Sequence, residues 1–483
     1  MKKNYIYNLL LSIVNILFPI ISFPYASRIL GPVGIGKVQL VSSFAQYFAL
    51  IAALGIPVYG IQEIAKAKDN KQKLAGVFSE LMVIYFITSI VLSAIYLAII
   101  FAFPYFKINL ELYSFAVLFI LLGFSSIEWF YSGLEEFRGI AIRSVSIKLL
   151  SLLFLYLFVK DAADFKYYLF ITMFAVLGNN LVSLLMVGRK TSMRFTNLDM
   201  KKHFTPLFFI FSTTIAASMN TLLDTVILGF LSNDQSVGLY TASVKFTKVA
   251  LQFVISIGVI LIPRIAKNFS EGKLDKVQEL IDKSFHFIIF FSIPILAGLA
   301  MLAPEFITVF SGIKFLDATV CMRILSLLPV LIGMGYFFAF QILVPAGKNK
   351  EMFLSVIGGV ATSLLLNFLL VPVMKEIGAA IANVSSELVV TMLYFYFVRK
   401  YYSFRYNWAL IWRAVLCTLL FIPVIIIIHS MKMNIFLTLF TSVGCCTLVY
   451  TFAQYFLFKD YFMFRIIEMV YTRLRVKKEP LEL

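Results

Sequence analysis

Ten charged residues stand inside stretches otherwise too apolar to hold them. Six are basic: Arg28, Lys148, Lys245, Lys248, Arg323 and Arg413. Four are acidic: Glu80, Glu128, Asp224 and Glu387. A charge in hydrocarbon is costly, so such a residue faces a partner, a cavity or the interface. Lys148, Arg413, Glu80 and Glu128 lie within two turns of the inner ends of their runs and are expected to snorkel. Arg28 closes the first apolar run. Lys245 and Lys248 lie one turn apart on one helix face, and Arg323 falls in the first third of its run. Asp224 and Glu387 are the deepest acids.

Four cations against two acids leave a positive surplus, which suits a large anion such as a phosphate or diphosphate. Arginine fits that task because its fork bridges two oxygens and keeps its charge when buried. Two other readings stay open. The acids could pair with the cations and fix helix packing, or one could bind a coupling proton or Na⁺.

Catalytic chemistry finds little support. His203, His286 and His429 are far apart, and no nucleophile joins them. There is no phosphate-binding loop of the ATPase type, no metal motif, and no cofactor is expected. The four cysteines, Cys321, Cys417, Cys445 and Cys446, all lie in apolar runs, which argues against a disulfide framework.

The elements that position these charges follow from composition. Of 483 residues, 61% are hydrophobic and 14% charged, more apolar surface than a soluble chain can hide. A spanning helix needs about 20 mostly apolar residues. Fourteen stretches qualify, starting near Ile6, Gln39, Val77, Leu112, Ser144, Tyr168, Pro206, Tyr240, Ser284, Thr319, Met352, Gly378, Ala409 and Ile435. The first lacks a small-residue cleavage site and reads as an uncleaved membrane helix rather than a signal peptide.

With the amino terminus inside, 29 of the 42 Lys and Arg fall in inner loops, 7 in outer loops and 6 within spans. That asymmetry places both termini in the cytoplasm. It also accounts for the net charge of +17 without nucleic acid. Trp129, Trp408 and Trp412 all fall at inner span ends, where an aromatic belt would put them.

An internal repeat is present. "GIGKVQLVSSF" (34–44) enters the second span and "SVGLYTASVKF" (236–246) the eighth, with Gly36 and Phe44 matching Gly238 and Phe246. Each span runs to an Ile-Pro pair, Ile56-Pro57 and Ile262-Pro263, followed by Ile-Ala-Lys. Spans one to six thus correspond to seven to twelve, a parallel repeat of two six-helix lobes over 1–195 and 196–400. Two further spans follow over 401–460, then a basic tail over 461–483. The spacing Gly31, Gly34, Gly36 is not the dinucleotide fingerprint. With Pro32 it predicts a bend between helices, and Pro19 and Pro24 predict a kinked first span.

"FPYASRILGPVGIGKVQLVSSFAQYF", "GIPVYGIQEIAKAKDN" and "VPAGKNKEMFLSVIGGVATSLLLNFLLVPVMKEIGAAIANVSSEL", together with fourteen spans, resemble the polysaccharide repeat-unit flippases of the O-antigen transporter family. That family belongs to a superfamily shared with multidrug exporters and lipid II flippases. The resemblance implies an all-α integral membrane protein whose two lobes surround a cavity open alternately to each side. It implies an undecaprenyl-diphosphate-linked oligosaccharide as substrate, moved from the inner to the outer leaflet of a bacterial cytoplasmic membrane for O-antigen, capsule or exopolysaccharide. Partners would be that lipid-linked oligosaccharide and membrane lipid, with a polysaccharide polymerase and chain-length proteins as further candidates. Arg28, Lys245, Lys248 and Arg323 then become cavity cations for the diphosphate, and the last two spans could line a groove for the lipid tail. Multidrug exporters of the superfamily often carry an acid in the first span, which is absent here. A lipid II or multidrug exporter stays as the alternative, and a polymerase is disfavoured by the short outer loops.

Overall fold

The computed structural model describes residues 2–194 and 198–460. The basic tail at 461–483 lies outside the described residues. Helices make up the chain, and no strand occurs among the described residues. They are α1 (Lys2–Ala52), α2 (Ile56–Ala67), α3 (Lys71–Ala102), α4 (Leu110–Leu121), α5 (Glu128–Gly133), α6 (Phe137–Phe158), α7 (Phe165–Val187), α8 (Lys201–Leu231) and α9 (Asp234–Ser270). Then come α10 (Leu274–Met301), α11 (Ala303–Ser311), α12 (Ala318–Leu325), α13 (Leu328–Tyr336), α14 (Asn349–Tyr401), α15 (Ala409–Leu419), α16 (Phe421–Ser430) and α17 (Ile435–Phe456).

Among the described residues ten helical stretches are long and apolar enough to cross a membrane, eleven if one bent pair is a single crossing. This is a multi-pass membrane protein. Two of the ten are too long for one crossing. Leu10–Ala67 has 58 residues, about 87 Å of helix against a hydrocarbon core of about 30 Å. The backbone breaks it twice. Gly31 takes φ 66°, ψ −179°, a conformation L side chains resist. Leu54 and Gly55 then turn left-handed ahead of Pro57, which opens α2. The bend predicted at Gly31-Pro32 is therefore present, whereas Pro19 and Pro24 sit in helix without a non-helical residue. The 53-residue α14 is interrupted at Lys375, φ 49° and ψ −125°, between Pro372 and Gly378. The Ile262-Pro263 pair likewise follows a break, a 45° bend between Asp234–Ser256 and Leu261–Ser270.

The chain forms two compact units, one of residues 1–241 with 364–379, the other of 242–363 with 380–483. In the first unit the repeat-matched glycines meet. A methyl on Gly36 would sit 1.7 Å from the carbonyl oxygen of Asp234, and one on Gly238 would sit 2.0 Å from that of Pro32. Each glycine thus touches the residue four before the other, the reciprocal contact that two related elements make about a two-fold axis. Only glycine lets the backbones approach this closely. Nearby, Phe44 packs on Phe106 and Phe230 at 5.2 and 5.7 Å. In the same unit Trp129 is 2% exposed and covers Gly60, so it is a core residue rather than part of a belt. Trp408 and Trp412, in the second unit, are exposed as a belt requires.

The second unit has two buried apolar clusters. One gathers α9, α10, the π-helical turn after α13 and the second half of α14 around Phe285, Phe337 and Val398. The other joins α10 and α11 to α15–α17 through Phe290, Phe421 and Cys446. Tyr450 locks that junction by donating to the Phe290 carbonyl at 2.9 Å.

Candidate functional site

In the first unit Arg28 lies three residues before the break at Gly31. Its neighbours Ala26, Ser27 and Leu30 are buried, and Tyr25 donates to the Val159 carbonyl at 3.0 Å. Packing of that face leaves Arg28 exposed.

Asp224, on α8, is fully buried. Asn367 on α14 donates its amide to Oδ1 at 2.7 Å, and Tyr240 on α9 donates its hydroxyl to Oδ2 at 3.2 Å. One carboxylate therefore ties three helices together through neutral donors. Other asparagines serve the same end. Asn15 accepts from Lys148, and Asn179 donates to Glu128 at 2.6 Å. Asn220 lies outside the residues whose side chains are described.

In the second unit α9 buries Ala242, Ser243 and Thr247, and Ser243 donates to the Ala318 carbonyl at 3.1 Å. Lys245 is half-buried and Lys248 exposed. Arg323 is exposed on α12, whose Cys321, Met322 and Leu325 face the core, and its Nε donates to the Ala300 carbonyl at 3.3 Å. Glu387 is half-buried on α14, beside Ser386, which donates to the Gly359 carbonyl at 2.9 Å. The fold thus divides the six candidates: Arg28 and Asp224 in one unit, Lys245, Lys248, Arg323 and Glu387 in the other.

The second unit also contains an apolar groove of ≈ 440 Å³. Phe246, Phe253, Phe290, Pro294, Phe421 and Tyr450 help line it, so α9, α10, α16 and α17 form its walls.

Sequence spacing missed a buried cluster in the first unit. Glu80 is only 3% exposed and does not snorkel. It accepts from the Asp199 backbone N–H at 2.9 Å and from Lys202 at 2.8 Å, and it pairs with His203 Nε2 at 2.9 Å. His203 Nδ1 lies 2.8 Å from the Tyr59 hydroxyl. The first turn of α8 is thereby fastened to α2 and α3, and the linker ahead of it to α3. Each of the three histidines in fact meets a carboxylate, for His286 lies 2.8 Å from Asp460 and His429 2.9 Å from Glu305. These partners are over 100 positions apart, which no local pattern encodes. No cluster able to hold a metal ion occurs among the described residues.

Residues 1–269 match the family model described as polysaccharide biosynthesis protein. A curated Escherichia coli K12 protein named "Putative O-antigen transporter" is 28% identical over 413 residues, 83% of this chain and 97% of that protein. Its namesake in Shigella dysenteriae is 25% identical over 81% of this chain and 98% of that one. Among solved structures, lipid II flippase MurJ in an inward closed conformation superposes with TM-score 0.71 at 15% identity, covering 94% of this chain and 99% of that one. An inward-facing multidrug transporter of the MATE family gives 0.63 at 14% identity over 80% of this chain and 94% of its own. At such identities these structures establish the fold alone.

Proposed function

The chain belongs to the polysaccharide biosynthesis protein family, and we propose that it flips an undecaprenyl-diphosphate-linked oligosaccharide repeat unit across the bacterial cytoplasmic membrane. In this reading it works by alternating access, from inner to outer leaflet, and feeds the assembly of a surface polysaccharide. The two curated relatives named for O-antigen transport support that substrate class. Both termini are placed in the cytoplasm by the charge asymmetry of the loops. The two six-helix lobes and two extra helices are retained. Counting each half of the two interrupted helices as a crossing brings the helices toward the fourteen expected.

One observation carries the reading. Helix α9 presents Lys245 and Lys248 on one face and Phe246, Val249, Ala250 and Phe253 to the apolar groove. At 3.6 residues per turn the groove positions centre roughly 120° from the lysines. A ligand that is anionic at its head and apolar along its tail matches this juxtaposition. A polyprenyl diphosphate is such a ligand. A cationic drug is not, because the lysines would repel it.

The test is a vesicle assay with purified protein and lipid-linked sugar. Sugar should become accessible on the far leaflet without lengthening. Arg28→Ala, Lys245→Ala and Arg323→Ala should each reduce movement by about tenfold or more, the scale of losing a charge-assisted hydrogen bond, while the protein still inserts. Unimpaired movement in all three removes the anion-cavity reading, and chain lengthening replaces transport with polymerisation. Asp224 and Glu387 are the candidates for ion coupling. The double variant Asp224→Asn with Glu387→Gln should abolish stimulation of flipping by a proton or Na⁺ gradient. Undiminished stimulation excludes both.

A further inference from the structure

A second cavity in the 242–363 and 380–483 unit is polar, with a volume of ≈ 500 Å³. It is enclosed by the start of α10, the 402–408 connection, the start of α15 and the residues after α17. Arg405, Arg413 and Lys459 line it. Among the described residues none of these three is in an ion pair, and Arg413 has only the Phe458 ring at 5.8 Å.

The two acids of the wall are already engaged. Asp282 accepts from the Gln278 amide at 2.8 Å, and Asp460 lies 2.8 Å from His286 Nε2. Gln278 also donates to the Arg405 carbonyl at 2.8 Å and accepts from the Arg405 N–H at 3.1 Å. The backbone that carries Arg405 is therefore fixed before any ligand arrives.

One donor in the wall has nothing to bind. The Tyr406 hydroxyl beside the cavity is sealed from solvent with no hydrogen-bond partner, a desolvated donor that costs the fold stability. Its ring is wedged between Phe285, Phe337, Phe338, Phe395 and Trp408. Burial pushes the phenol's pKa up, so it stays a donor at neutral pH.

We infer that this cavity is a binding site for a phosphate group, held by Arg405, Arg413 and Lys459. Two guanidinium forks and an ammonium lining one space match phosphate oxygens. The cavity lies at the ends of the spans that the proposed orientation puts in the cytoplasm. It rests on that reading for its leaflet alone. Two sources share the chemistry, the headgroup of an anionic phospholipid and free phosphate. A basic recess at a membrane surface is suited to the first, and the apolar Phe285 and Leu410 also line it.

The experiment is equilibrium binding to the purified full chain in detergent. The probes are dioctanoyl phosphatidylglycerol, dioctanoylglycerol without phosphate, and inorganic phosphate. The wild type should bind the phosphatidylglycerol and not the dioctanoylglycerol. Arg405→Gln with Arg413→Gln should weaken binding about tenfold or more, as expected for lost charge-assisted hydrogen bonds. Arg405→Lys with Arg413→Lys, which keeps the charge, should restore most of it and guards against misfolding. Competition by inorganic phosphate supports a site open to either source, and its failure to compete assigns the site to the lipid headgroup. Equal binding of the phosphate-free lipid, or undiminished binding by the glutamine variant, overturns the inference. Translocation is not read here, so failure of the transport reading would leave this result standing.

Discussion

Glu80 with His203 in the first unit and Asp460 with His286 in the second are two histidine–carboxylate pairs of nearly equal length, 2.9 and 2.8 Å. Their settings differ. The side chains of the first pair are 1% and 4% exposed, and Lys202, Tyr59 and a backbone N–H complete the cluster. The side chains of the second pair are 19% and 3% exposed, and both border a polar cavity lined by three cations. One pair therefore fastens the first turn of α8, and the other forms part of the wall of a recess. A buried pair draws its worth from how completely its remaining hydrogen-bonding capacity is met. The identity of the two residues does not decide that.

The comparison can be broken at its strongest point first. Glu80→Ala strands His203 and releases Lys202 and the Asp199 N–H, so the first unit should lose about 3 kcal/mol of stability. The readout is the unfolding midpoint in detergent. A loss under about 1 kcal/mol would deny the fastener role. Asp460→Asn keeps the size and one acceptor beside His286, and should cost about 1 kcal/mol. Equal losses would erase the distinction.

Much of this molecule follows from local sequence. Apolar run length marked where helices cross, because about 20 residues of helix match a bilayer. Gly31 with Pro32 marked a bend and the Ile56-Pro57 pair marked the end of a span, because a missing side chain and a missing N–H act within one turn. The match of Gly36 with Gly238 and the cations at Arg28, Lys245, Lys248 and Arg323 stood out in the sequence as well, the first because glycine permits close approach and the others because charge is rare in apolar runs.

Contacts between distant positions were decided by tertiary structure. Glu80 reads as a snorkelling acid until α8 brings His203 beside it, 123 positions later. The Asn367 that holds Asp224 stood among several asparagines with no mark of distinction until α14 packed 143 positions away from it in sequence. The polar recess is assembled from four separate stretches, and Tyr406 was one tyrosine among 24. The physical reason is range. Hydropathy and backbone preference act over a few residues, so they are written where they act. Desolvation and hydrogen-bond completion depend on which surfaces meet, and only packing of the whole chain settles that.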